Sequence, residues 1–172
     1  MSALHNIWKD RYLSISTKIR IYQALVQSVL LYAAETWTPL ATDIKALEAF
    51  HIKCQRQLLQ ISWQQFIRNG EVAATTGLPS ISDVIRHCRS TLFSHVARLQ
   101  QDVLAHKALH CHVDLSLGRP PNDQWKHRLG RPREQWIDQI RKDNGIPPAD
   151  LWRCVKSRGH WGATLRPSLA TR

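Results

Sequence analysis

Residues Thr42–Gln60 read TDIKALEAFHIKCQRQLLQ. Within them and at Ile61, the apolar positions Ile44, Leu47, Phe50, Cys54 and Leu58 recur every three or four residues. That is the period of one helix face, not the alternation of a strand. Lys45, Lys53 and Arg56, with Gln55, Gln57 and Gln60, fall on the other side, so the spacing predicts an amphipathic helix with a cationic polar face. The same period continues in both directions. Upstream, Ile19, Tyr22, Val26, Val29, Leu30 and Ala33 predict a helix from Ser16 to Ala34, capped by Ser14 or Ser16. Downstream, Trp63–Phe66 reads as a loop. Asn69 reads as the cap of a short helix that Gly77 and Pro79 end. Ser80 or Ser82 opens a fourth helix to about Leu99, with Arg86 and Arg89 facing outward, and a shorter piece covers Asp102–His110. No segment alternates like a strand, so the fold class is all-α, a helical bundle.

Composition shifts at Leu117. Residues 118–133 read GRPPNDQWKHRLGRPR, which predicts an extended Pro/Gly-rich basic arm. Short helices follow over Pro132–Lys142 and Pro148–Lys156. The organisation is a helical domain over 1–112, then the arm and short carboxyl-terminal helices over 113–172. The whole chain of 172 residues carries a net charge of +11, of which +7 lies in residues 119–172. A sequence pI near 10.1 points to an anionic partner.

Several function classes are excluded on the residues. The most apolar window, Ala24–Ala34, is too short for the roughly 20 residues that a spanning helix needs, so no membrane is implied. The first ten residues, with His5, Asn6, Lys9 and Asp10, read as no signal peptide. Cys54, Cys88, Cys111 and Cys154 form no C-x-x-C pair. The His106, His110, Cys111 and His112 run lacks the paired spacing of a zinc site, so no metal and no cofactor are expected. His51 and His95 sit on apolar stripes and read as core-edge histidines. The acids Asp43, Glu48, Glu71, Asp83 and Asp102 are dispersed, so no two-metal centre is expected.

The binding signal is the arm. Arg119, Lys126, Arg128, Arg131 and Arg133 are interleaved with Trp125 and His127. Guanidinium groups pair with phosphates, and a Trp stacks on an unpaired base. Gly-Arg-Pro occurs twice, but Leu117 and Leu129 precede its two copies where a minor-groove hook has basic flanks. The residues alone fit a nucleic-acid binder, a helical protein-interaction fragment, or a remnant with no nucleic-acid role.

Five runs in series carry a resemblance: TKIRIYQALVQSVLLYAAETW at Thr17–Trp37, LEAFHIKCQRQLLQI at Leu47–Ile61, and NGEVAATTGLPSISDVIRHCRSTLFSHVARL at Asn69–Leu99. GRPREQWIDQIRKD at Gly130–Asp143 and RGHWGATLRPS at Arg158–Ser168 complete it. Together they resemble the thumb and carboxyl-terminal tail of non-LTR (LINE-type) retrotransposon reverse transcriptases. The chain departs from that pattern at Cys88 and Ser90, where Arg is frequent in the family. The resemblance implies a thumb-like domain over 1–112 that grips a template–primer or element RNA. It implies no polymerase centre, because the palm with its catalytic aspartates does not match any stretch here. On it, Lys45, Lys53 and Arg56 would contact backbone, and Arg119, Lys126, Arg128, Arg131 and Arg133, with Trp125 stacking, would hold RNA or DNA. The first helix's apolar face, which would meet the palm, is then expected to drive self-association.

Overall fold

The computed structural model describes residues 4–122, 124–126, 130 and 135–157. Among them every regular element is helical, and the chain is all-α. The elements are α1 (His5–Lys9), α2 (Ile15–Tyr22), a π-helical turn (Gln23–Gln27), α3 (Ser28–Leu30) and a 3₁₀ turn (Ala34–Thr36). Next come α4 (Ala41–Leu58), a second 3₁₀ turn (Trp63–Gln65), α5 (Asn69–Thr76), α6 (Ile81–Ala97), α7 (Leu104–Ser116), α8 (Trp136–Asn144) and α9 (Pro148–Lys156). No helix among the described residues is long and apolar enough to cross a membrane. They divide into two compact units, 4–33 with 39–84 and 34–38 with 85–157. The division falls inside α6, whereas the sequence-based boundary after residue 112 lies within the unbroken helix α7.

The first unit forms around Trp8, Tyr22, Cys54, Leu58 and Leu78. Ser14 starts α2 by accepting from the Thr17 amide at 3.2 Å, as the cap pattern predicts. The long helix expected over Ser16–Ala34 is interrupted. The π turn rotates the face, so Tyr22 is buried while Val29 is 74% exposed. Asp43 closes the start of α4 by accepting from the Leu40 amide at 3.0 Å. α4 is the predicted amphipathic helix, with one correction. Gln55 is buried, not on the polar face, because its side-chain oxygen accepts from the Thr76 hydroxyl at 2.7 Å and ties α4 to α5. α5 ends at Gly77, whose φ of +66° is the left-handed cap that a side chain would strain.

A buried polar chain crosses this core. The Pro79 carbonyl can only accept, so at 3.2 Å it requires the proton of His51 on Nε2. His51 Nδ1 then accepts from the Tyr22 hydroxyl at 2.6 Å. His51 is therefore a satisfied core histidine, as its place on the apolar stripe suggested. The buried Lys18 ammonium donates to the Trp8 carbonyl at 2.8 Å, which Gln60 also reaches at 2.8 Å.

The second unit packs Phe93 and Ala97 of α6, Leu109 and Val113 of α7, Ile137 and Ile140 of α8, and Leu151, Trp152 and Val155 of α9. Phe93 meets the Trp152 ring edge-on at 6.3 Å and the Trp136 ring at 6.5 Å. Trp136 also donates its indole N–H to the Glu35 carbonyl at 2.7 Å. Arg89 corrects the sequence reading. It does not face outward but is 4% exposed, paired with Asp143 at 3.1 Å and bonded to Gln139 at 3.2 Å, which fastens α6 to α8. Arg86 is exposed as expected. α7 runs six residues beyond the predicted His110, because Leu109 and Val113 continue its apolar stripe into this core. α8 ends two residues beyond the predicted Lys142, and residues 132–134 of that predicted helix lie outside the described ones.

Candidate nucleic-acid interface

Lys45, Lys53 and Arg56 stand on one face of α4. At 100° per residue they lie within about 80° of arc, and at 1.5 Å rise they extend over roughly 16 Å of axis. Lys45 and Lys53 are exposed and Arg56 is half-buried. None of the three is ion-paired among the described residues. Beside them lies an open groove of about 450 Å³, lined by Glu48, Ala49, Ile52, Lys53, Arg56 and Asn69. Its α4 wall follows from spacing alone, since positions 49, 52, 53 and 56 share one stripe.

The far wall is built by Arg56. One guanidinium nitrogen donates to the Ile67 carbonyl and, at 2.9 Å, to the Asn69 side-chain oxygen. Asn69 therefore does not cap its helix, as the sequence suggested. It is the first residue of α5, Arg68 takes the cap position, and the amide side chain fixes Arg56. Arg56 thus has two tasks, holding the 67–69 segment and presenting positive charge to the groove. The Glu48 carboxylate is partly occupied, accepting from the Ser82 amide at 2.9 Å.

Of the arm residues, Arg119, Trp125 and Lys126 are described, whereas Arg128, Arg131 and Arg133 lie outside the described residues. Arg119 is placed by the end of α7. Gly118 adopts φ +73°, its amide donates to the Leu115 carbonyl at 3.0 Å, and the Arg119 amide donates to the Asp114 carbonyl at 3.0 Å. These two bonds form a Schellman motif, which only a residue tolerant of the left-handed region allows. The Arg119 side chain is exposed beside a cleft of about 270 Å³, with His110, Cys111, Asp114, Pro120 and Pro121. The carboxylate in that cleft is paired with His110 at 2.9 Å. Trp125 is half-buried and Lys126 exposed. The α4 residues belong to the first unit and these to the second.

The neighbouring histidines have packing roles. The His106 ring lies 5.0 Å and the His110 ring 5.2 Å from the Trp152 ring, and the Lys156 ammonium lies 5.2 Å from its centroid. No group of three metal-ligating side chains that could hold an ion occurs among the described residues. All four cysteines are free thiols, and burial pushes the thiols of Cys54 and Cys88 up.

One residue next to the segment that Arg56 braces escaped the sequence reading. Phe66 is 89% exposed and has φ +28°, ψ +28°, which is a strained backbone for a bulky side chain. Two aromatics flanking a polar pair in WQQF carry no periodicity, so only the structure shows that Phe66 faces water.

A family described as a domain of unknown function, DUF6451, matches residues 1–32. No curated protein matches the chain. No solved structure matches it either.

Proposed function

We propose that this chain is a nucleic-acid-binding fragment of a reverse transcriptase of the non-LTR retrotransposon type, gripping template–primer or element RNA without a polymerase centre. The reading rests on the five-run resemblance and on one structural observation, the row of Lys45, Lys53 and Arg56 along an open groove of α4. On this reading the first helices form a thumb-like bundle and residues 118–133 a basic arm that follows a strand. Recognition is by shape and phosphate, because lysine and arginine on an exposed helix face position a backbone without reading bases. Arg119, Lys126, Arg128, Arg131 and Arg133 add phosphate contacts, and Trp125 stacks. The chain catalyses no DNA synthesis, since isolated surface acids cannot assemble two-metal chemistry.

The test is titration of the chain with an RNA–DNA hybrid against heparin, a polyanion without bases. The Lys45→Ala/Lys53→Ala pair is compared with the parent chain. Those lysines make no structural bond, so the pair should weaken hybrid binding about tenfold while leaving the fold intact. Unchanged hybrid affinity in the pair would remove α4 from the interface.

A second reading is favoured by the first helices. Residues 21–34 carry no charge, and Val29 and Tyr32, 74% and 80% exposed, continue a stripe begun by Leu25. An uncharged apolar face on a chain of net charge +11 is the surface through which two copies meet at least electrostatic cost. Self-association is then a property of this face, distinct from the cationic one.

A further inference from the structure

We propose that Phe66 and the α4 groove, linked through the Arg56 bond to the next residue's carbonyl, form a single-strand site, in which one unpaired base stacks on Phe66 and the adjoining phosphate lies against Lys53 and Arg56. The inference rests on the nucleic-acid reading above and names the form of nucleic acid and a stacking residue that the basic residues do not reveal.

Three observations converge. The first is display. Phe66 is 89% exposed in a chain whose other phenylalanines, Phe50 and Phe93, are half-buried and buried. The second is strain. A φ of +28° is a conformation that glycine adopts freely and phenylalanine does not, and strain of this kind collects at binding sites. The third is fixation. The turn before Phe66 is held by the Gln65 side chain, which accepts from the Ser62 amide at 3.2 Å, with a longer contact of 3.5 Å from the Gln64 amide to the Ser62 hydroxyl. The residue after it is locked too, since Arg56 grips the Ile67 carbonyl. The ring is therefore presented from a pre-organised segment that is tied to the cationic groove, which lowers the ordering cost of binding.

The chemistry of the pair selects the ligand. An exposed aromatic offers a face to any base, and the offer is useful only where the base is unstacked from a duplex. Lys53 and Arg56, three residues apart on one helix face, can bracket a single phosphate. Alternation of stacking face and paired cations is the pattern of single-strand binders.

The experiment measures binding of the full chain to a labelled single-stranded RNA of roughly ten nucleotides and to an RNA–DNA hybrid. Phe66→Gly, Phe66→Trp and Lys53→Ala are each compared with the parent chain. Phe66→Gly relieves the backbone strain, so its thermal stability should stay level or rise. It should nevertheless bind the single strand about tenfold more weakly, with the salt dependence unchanged and the hybrid affected much less. Phe66→Trp should bind at least as tightly as the parent, and Lys53→Ala should flatten the salt slope by about 0.7. Parent-like single-strand binding by Phe66→Gly would overturn the site while leaving the nucleic-acid reading standing. Equal losses on single strand and hybrid would overturn it as well. Binding of neither nucleic acid by the parent chain would overturn both.

Discussion

His51 is neutral in the folded chain, because its Nε2 proton is committed to the Pro79 carbonyl and its Nδ1 accepts from Tyr22. Burial lowers its pKa from 6.5, against the smaller opposing effects of the Pro79 carbonyl and Glu48. The unfolded chain therefore binds a proton that the folded chain resists. Stability contributed by this residue is complete above about pH 6.5 and is lost as pH falls through the window below it. Urea unfolding at pH 7 and pH 5 should show the loss, and His51→Gln should reduce it. Equal pH dependence in the variant would place the effect on other histidines. Tyr22→Phe should cost about 1–3 kcal/mol at neutral pH, since it leaves a buried acceptor unsatisfied. Burial also drives the Tyr22 hydroxyl far above its usual range, so it stays protonated throughout. At this scale the apolar stripe placed His51 in the core correctly but misplaced His95, read the same way, which is exposed. The partners of His51 were not legible, because Tyr22 and Pro79 lie 29 and 28 residues away in the chain.

Helices were legible where an apolar stripe ran unbroken, as in α4 and α9, and less so where a polar residue changed sides. Arg89 looks like a surface cation in sequence because nothing local announces Asp143, a partner on another helix. The pair should behave as a buried one. Arg89→Ala leaves Asp143 with only the weaker influence of Arg86 between α6 and α8, and should destabilise by roughly 3 kcal/mol in thermal or urea unfolding. The double change Arg89→Leu/Asp143→Leu should recover most of that loss. Recovery of nothing would show that Gln139 and the surrounding packing, not the ion pair, carry the effect. The π turn is the second case. A periodicity of 3.6 continues smoothly through Gln23–Gln27, so the sequence predicts one helix face that includes Val29, whereas past the wide turn Val29 is exposed beside Leu25 and Tyr32, which that face did not include. Leu25→Ser with Val29→Ser should reduce any concentration-dependent association seen by sedimentation, without lowering the unfolding midpoint. A drop in stability with unchanged association would place those side chains in the fold instead.

Across the whole molecule, net charge and composition point to an anionic partner as an expectation, and geometry adds what composition lacks. It separated Arg56, which also braces the 67–69 segment, from Lys45 and Lys53, which brace nothing. It also brought forward Phe66, whose exposure no pattern encodes. The arm's outer arginines rest on sequence. Arg131→Ala with Arg133→Ala should flatten the log–log salt slope of single-strand binding by about 1.4 and weaken every base sequence alike. An unchanged slope would move the contacts to α4. The most direct measurement of the nucleic-acid reading is a salt titration of the full chain with single-stranded RNA, an RNA–DNA hybrid and heparin side by side. The account predicts binding to both nucleic acids that is indifferent to base sequence, a slope of roughly −5 on the single strand, and preference over heparin at matched charge. Heparin equalling both nucleic acids at every salt concentration, or no nucleic-acid binding at low salt, would contradict it.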